Sequence, residues 1–306
     1  MRTDGCGTLI GMVSTRANSA LPLRETVAGP GLFLLASLVS LLGVVATYWL
    51  FVRTTTGQYI DESALDEAVA VYGRAAKASL GFLDALPTIA VVVGAGGLLY
   101  AAIVKRRWSA ALIAFAAAGL ANLVTQLLKA YVFTRPYTGI QTLMENSLPS
   151  GHTTAAASAA GAIFLVASPA WRPFVGFLGT TFAVAAGGAT LVNQWHRPAD
   201  VIAGLLVVAA CLAPAGWLVI RTGQRWNTWD GFGSHWASSR LWLSLPLLIG
   251  LGATALAVAM LVKIAPGSGV ESTTHYFWAG LSLIVISGYV IGTAATWLFA
   301  VSVRQR

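Results

Sequence analysis

The chain is poor in charge. Only 10% of its 306 residues are Asp, Glu, Lys or Arg, while 57% are hydrophobic. A soluble domain carries roughly 25% charge. The composition therefore excludes a water-soluble globule and predicts an integral membrane protein governed by the bilayer. Cysteine is scarce as well: Cys6 lies in an N-terminal arm and Cys211 in an apolar run, which excludes a disulfide framework and a thiolate zinc site. Acidic residues number 11 against 19 Lys and Arg, a net charge of +8. In a membrane protein that excess reflects loops facing a cytoplasm and anionic lipid, not a nucleic-acid partner. Residues 1–29 lack an apolar core followed by a small-residue cleavage site, so no cleavable signal peptide is expected. There is no internal repeat and no low-complexity tract.

What remains is apolar sequence in long runs. Runs of spanning length occur at about 30–52, 86–104, 109–128, 153–170, 174–194, 199–220, 241–262 and 276–301, predicting an all-α polytopic bundle of eight transmembrane helices. Its expected organisation is a cytoplasmic arm over 1–29, a six-span core over 30–220, a cytoplasmic loop over 221–240 rich in Trp and Gly, and two additional spans with a short tail over 241–306. Lys105-Arg106-Arg107 anchors the orientation, and most other Lys and Arg fall on the same side. Both termini are then cytoplasmic by the positive-inside rule. Residues 53–85 form the longest outer connection. Tyr59-Ile60-Asp61-Glu62-Ser63 precedes Leu65, Val69, Tyr72, Ala76 and Leu80 at helical spacing, which reads as a helix lying at the membrane surface.

Against this background three charged clusters stand out, all at the outer ends of spans. Lys129 and Arg135 close the third span, with Pro136 following. Pro149-Ser150-Gly151-His152 opens the fourth. His196, Arg197 and Asp200 open the sixth. Among these, Lys129, Arg135, His152, His196 and Asp200 supply two imidazoles, two cations and a carboxylate, a set able to grip and transfer a phosphate. Arg135 offers a planar fork and Lys129 a point charge, although a lysine at a span end can also simply snorkel. Gly151 lets backbone approach a ligand, and the first amides of a helix make an anion site. Ser150 also suits a helix cap. His152 sits where it could donate a proton to a leaving oxygen. His196 and Asp200, four apart, share one helix face. A carboxylate on one ring nitrogen fixes the tautomer and leaves the other nitrogen as a nucleophile.

These three clusters, in this order and on one membrane face, resemble the signature motifs of the type-2 phosphatidic acid phosphatase superfamily. The resemblance covers about residues 85–220. It implies a six-helix membrane core and a hydrolase needing no metal or other cofactor. In that reading His196 attacks phosphorus to give a phosphohistidine, Asp200 orients His196, and His152 protonates the departing group. Lys129, Arg135, Ser150 and the Gly151 amide hold the phosphate oxygens. The implied partner is a lipid phosphate or diphosphate at the outer leaflet of a bacterial plasma membrane, with polyprenyl carriers of envelope assembly one candidate class.

Two positions depart from the family pattern. Five residues, not six, separate Lys129 from Arg135. Ala189 and Thr190 stand where the third motif has Ser-Arg. The missing arginine removes a charged phosphate contact, a loss of about 1.5–3 kcal/mol when uncompensated. Arg197 is one candidate replacement, with an exposed interfacial arginine as the alternative. Asn193 and Gln194 are neutral substitutes. Rival functions are a phosphotransferase acting on a lipid carrier and a non-catalytic lipid-binding or transport protein of the same fold.

Overall fold

The computed structural model describes residues 29–140, 146–265 and 270–305. Most of the N-terminal arm, Cys6 included, therefore lies outside the described residues. The chain is an all-α bundle. Helix α1 (Gly31–Thr47) continues through a π turn (Tyr48–Val52). Next come α2 (Thr55–Ile103), α3 (Trp108–Leu127) with a second π turn (Leu128–Val132), α4 (Gly151–Val166), α5 (Arg172–Val192) and α6 (Pro198–Thr222). Helices α7 (Leu241–Lys263) and α8 (His275–Ser302) complete the bundle. Two-residue strands Thr228–Trp229 and Arg304–Gln305 pair in parallel, tying the tail to the loop after α6. Among the described residues seven helices are long and apolar enough to cross a membrane, and α4 is a shorter apolar helix. The eight predicted spans correspond to these eight helices. Leucines such as Leu34, Leu38 and Leu42 on α1 point outward, as lipid-facing positions require.

Two elements differ from the sequence expectation. Helix α4 ends at Val166, because Ser168-Pro169 starts a separate short 3-10 turn. At 16 residues it is about 24 Å long, shorter than a bilayer core. It is packed among α2, α3, α5 and α6. The connector over 53–85 is the larger difference. It does not form a separate surface helix, since α2 runs unbroken for 49 residues, about 74 Å if straight. Only its second part, Lys77–Ile103, has spanning composition, so its first turns project beyond the span. The apolar stripe expected there is only partly the buried face. Val69 and Tyr72 are exposed, whereas Gln58, Asp61, Glu62, Leu65 and Ala68 are buried. The physical reason is that those polar side chains have partners on neighbouring segments: the end of α1, the loop carrying Arg135 and the start of α6.

Close packing brings the motif helices together. A Cβ on Gly204 of α6 would lie 3.0 Å from the Ser150 carbonyl, and one on Gly187 of α5 would lie 2.3 Å from Val201. Small residues at such crossings let helix backbones approach. Helix α8 packs on α2, α5 and α6. Its start is tied to α2, where Glu67 accepts hydrogen bonds from Ser272 Oγ and from the Phe277 amide. Helix α7 leans chiefly on α8.

Candidate active site

The three clusters meet at one end of the bundle, where α3 ends and α4 and α6 begin. Helix α6 starts by a capping arrangement. Pro198 takes the first helical position, and the Asp200 carboxylate accepts the Arg197 amide at 3.0 Å. That is the reciprocal half of a capping box. Asp200 is fully buried. Its Oδ2 also accepts the Ser147 hydroxyl at 2.5 Å and faces His196 Nδ1 at 3.4 Å. With Nδ1–H turned to the carboxylate, Nε2 is left as the free ring nitrogen. The His196 side chain keeps 8% exposure. Thr190 presents it, because the Thr190 carbonyl accepts the amides of Trp195 and His196. The Thr190 hydroxyl in turn bonds the Gly187 carbonyl at 2.7 Å.

Ser150 caps α4, accepting from the Thr153 amide at 3.4 Å and the Thr153 hydroxyl at 3.0 Å. The Ser150 amide donates to the Asp200 carbonyl at 2.8 Å, which locks the second motif to the third. Gly151 is the first residue of α4. The His152 ring lies 6.2 Å from the His196 ring, centroid to centroid, and 5.3 Å from Trp195. Lys129 sits in the π turn ending α3, within electrostatic reach of His152. Asn146 clamps this corner by donating to the carbonyls of Lys129, Phe133 and Leu148. Arg135 lies between two carboxylates, with Nη2 3.7 Å from both Asp61 Oδ2 and Asp200 Oδ1. Its side chain is 1% exposed. None of its three guanidinium nitrogens has a hydrogen-bond partner among the described residues.

Arg197 is placed differently from the sequence expectation. It is neither an exposed interfacial residue nor turned outward to a ligand: it is 0% exposed. Its Nε donates to Glu62 at 2.5 Å and its Nη1 to Ser147 Oγ at 2.9 Å. A chain of hydrogen bonds thus runs from Glu62 through Arg197 and Ser147 to Asp200, on the side facing His196. The neutral substitutes are also engaged elsewhere. Asn193 donates to Ser79 and Gln194 to the Leu65 carbonyl, both on α2.

Asp61, Glu62 and Ser147 are the site residues that motif reading misses. Asp61 accepts the Ala199 amide at 2.9 Å. Burial, then the negative charge of Asp200, pushes its carboxyl up from 3.8 to about 7, against the pull of Arg135, the Ala199 amide and Arg197. A signal was available in charge balance. Two arginines at a buried site require buried counter-charges, and the adjacent pair Asp61-Glu62 opens the preceding outer segment.

Residues 110–227 match the family model described as the PAP2 superfamily. The match runs from α3 past α6 and contains all three motifs, so the motif-bearing core is similar to the type-2 phosphatidic acid phosphatase superfamily. The superfamily consists in general of phosphatases and related hydrolases of phosphate esters. Comparison with curated proteins gives no match, and comparison with solved structures gives none.

Proposed function

We propose that the protein is a membrane phosphatase that hydrolyses a lipid phosphate or diphosphate at the outer leaflet through a phosphohistidine. The observation that supports this most is the pairing of two imidazoles at one buried corner. His196 is backed on Nδ1 by Asp200, and the His152 ring lies 6.2 Å away. In the first step His196 Nε2 forms a bond to phosphorus while the bond from phosphorus to the leaving oxygen breaks. His152 gives its proton to that oxygen. In the second step His152 takes a proton from water, whose oxygen attacks phosphorus. The P–N bond breaks and phosphate leaves. Lys129 and the amides at the start of α4 face the phosphoryl oxygens in this reading, while Arg135, buried between Asp61 and Asp200, reaches them only by exchanging a carboxylate for the phosphate. Arg197 serves as a positioning residue that holds Asp200 through Ser147.

The test is phosphate release from a panel of phosphatidic acid, phosphatidylglycerol phosphate and polyprenyl phosphates by purified protein. We expect release with at least one of them. His196→Ala is expected to abolish it, and His152→Ala to reduce it by about 10²–10⁴-fold. Label from a phosphate-labelled substrate is expected on the native chain and not on His196→Ala. Full turnover in His196→Ala would remove the mechanism. Turnover only with an added lipid acceptor would identify a transferase, and no release from any substrate would favour the lipid-binding reading.

A further inference from the structure

The end of the bundle opposite the motifs carries a second concentration of charge. The short link between α2 and α3 holds Arg106 and Arg107, and the segment where α6 ends holds Arg221 and Arg225. These four arginines, with Gly223 and Trp226, line a concavity of about 440 Å³. No carboxylate lines it among the described residues. Retention of loops on one membrane side requires positive charge nearby, but not its convergence from two segments onto one hollow.

The hollow is also braced. Arg107 is half-buried. It donates to the Val166 carbonyl at 2.7 Å and to Ser168 Oγ at 2.8 Å, at the end of α4. Its guanidinium stacks 3.9 Å from the Trp226 ring. The neighbouring Arg106 holds a φ of 54°, a left-handed conformation unfavourable for any residue with a Cβ. Arg106 is thereby left exposed at the rim beside the braced Arg107. On the other wall, a Cβ on Gly223 would lie 2.6 Å from Trp226 Nε1, so only glycine lets α6 close on that ring.

The surroundings select the ligand. Ile103, Val104 and Leu112, on the two helices beneath the arginines, expose apolar side chains. Trp108, also exposed, opens α3 at the same level, the depth at which tryptophan marks the headgroup region. A site cationic above and apolar below suits a phosphate carrying acyl chains better than a free anion. We propose that this concavity binds the headgroup of an anionic phospholipid in the leaflet at that end, separately from the motif site and independently of its reading.

The experiment uses the full chain in detergent, with lipid retention followed by native mass spectrometry. Phosphatidylglycerol and phosphatidylcholine are the probes. The variant Arg106→Gln/Arg221→Gln/Arg225→Gln spares Arg107, which braces α4. Native protein is expected to retain phosphatidylglycerol preferentially. The glutamine variant should bind it about a hundredfold more weakly, at the strength each basic residue contributes near an anionic surface. The corresponding triple lysine variant should retain most of the binding. Matching thermal transitions without lipid would show that the variants fold. Equal retention of the two lipids by native protein overturns the proposal. So does undiminished retention by the glutamine variant, or displacement of the lipid by millimolar inorganic pyrophosphate, which would mark a site for soluble anions. A salt titration of the unaltered protein tests the idea without substitution: affinity for phosphatidylglycerol must fall as salt rises, and a flat response overturns it.

Discussion

At the scale of residues the site is a balance of buried charge. Asp61, Glu62 and Asp200 face Arg135 and Arg197 where almost no side-chain surface reaches solvent. Removing one partner of a buried pair costs about 3–5 kcal/mol, because the other charge is left uncompensated. Arg197→Ala is therefore expected to lower thermal stability by that order, and Arg197→Met combined with Glu62→Leu by clearly less. A double-mutant cycle on unfolding in detergent checks this. If Arg197 instead held phosphate, its loss would raise KM and leave the unfolding temperature unchanged. The same geometry argues against restoring the family arginine. Thr190 is fully buried, so Thr190→Arg would drive a guanidinium into packed helices instead of repairing the site. Asp61 supplies a pH dependence. Its carboxyl is raised to about 7 from an ordinary 3.8, so the folded chain holds this proton more tightly than the unfolded one. The contribution to stability is full below about pH 4, falls as pH rises, and is gone above about pH 7. Asp61→Asn cannot titrate, so its unfolding temperature should fall less between pH 5 and pH 8 than that of the native chain. Parallel profiles would show that Asp61 is ionised throughout.

Among the elements, α2 does more than connect. Its first turns hold Gln58, which donates to the carbonyls of Val52 and Pro136 and accepts from Thr138. The same face then supplies Asp61 and Glu62. One helix start thus fixes the end of α1, the loop carrying Arg135 and the beginning of α6. That position depends on Gly57, because a Cβ there would fall 1.8 Å from the Leu50 carbonyl oxygen and 2.8 Å from Phe51 Cα. Both are backbone atoms and neither can swing aside. Gly57→Ala should force α1 and α2 apart, with loss of thermal stability and of any activity together. Gly73→Ala is the control on the same helix, since nothing lies within 4 Å of its added Cβ. It should be neutral or stabilising by about 0.5–1 kcal/mol. A stable, active Gly57→Ala protein would show that the α1–α2 corner does not set the site.

For the molecule as a whole, the helices were legible because apolar runs long enough to span a bilayer have few other interpretations, and the motifs because charge is scarce enough to stand out. Charge balance pointed to Asp61-Glu62, but the pairing of the clamp on α2 was not legible. Glu62 and Arg197 meet across 135 residues of sequence, Ser147 and Asp200 across 53, and helical periodicity reveals a face without revealing what covers it. Periodicity therefore favoured Val69 and Tyr72, which the fold leaves outside, over Asp61 and Glu62, which it buries. Membrane orientation rests on a further argument. The motif residues and the four-arginine hollow occupy opposite ends of α3 and α6, and α6 alone, at 25 residues, is about 37 Å long. In the proposed orientation the two ends lie at opposite faces of a bilayer, with the hollow on the cytoplasmic side that positive charge favours. In a background lacking Cys6 and Cys211, Tyr137→Cys tests the motif end, where Tyr137 is well exposed. Gln224→Cys tests the other end, where Gln224 is exposed beside the hollow. A membrane-impermeant maleimide should label Tyr137→Cys in intact cells and Gln224→Cys only after permeabilisation. The reverse pattern would move the proposed phosphatase site to the inner leaflet, and with it the pool of lipid phosphates that site could reach.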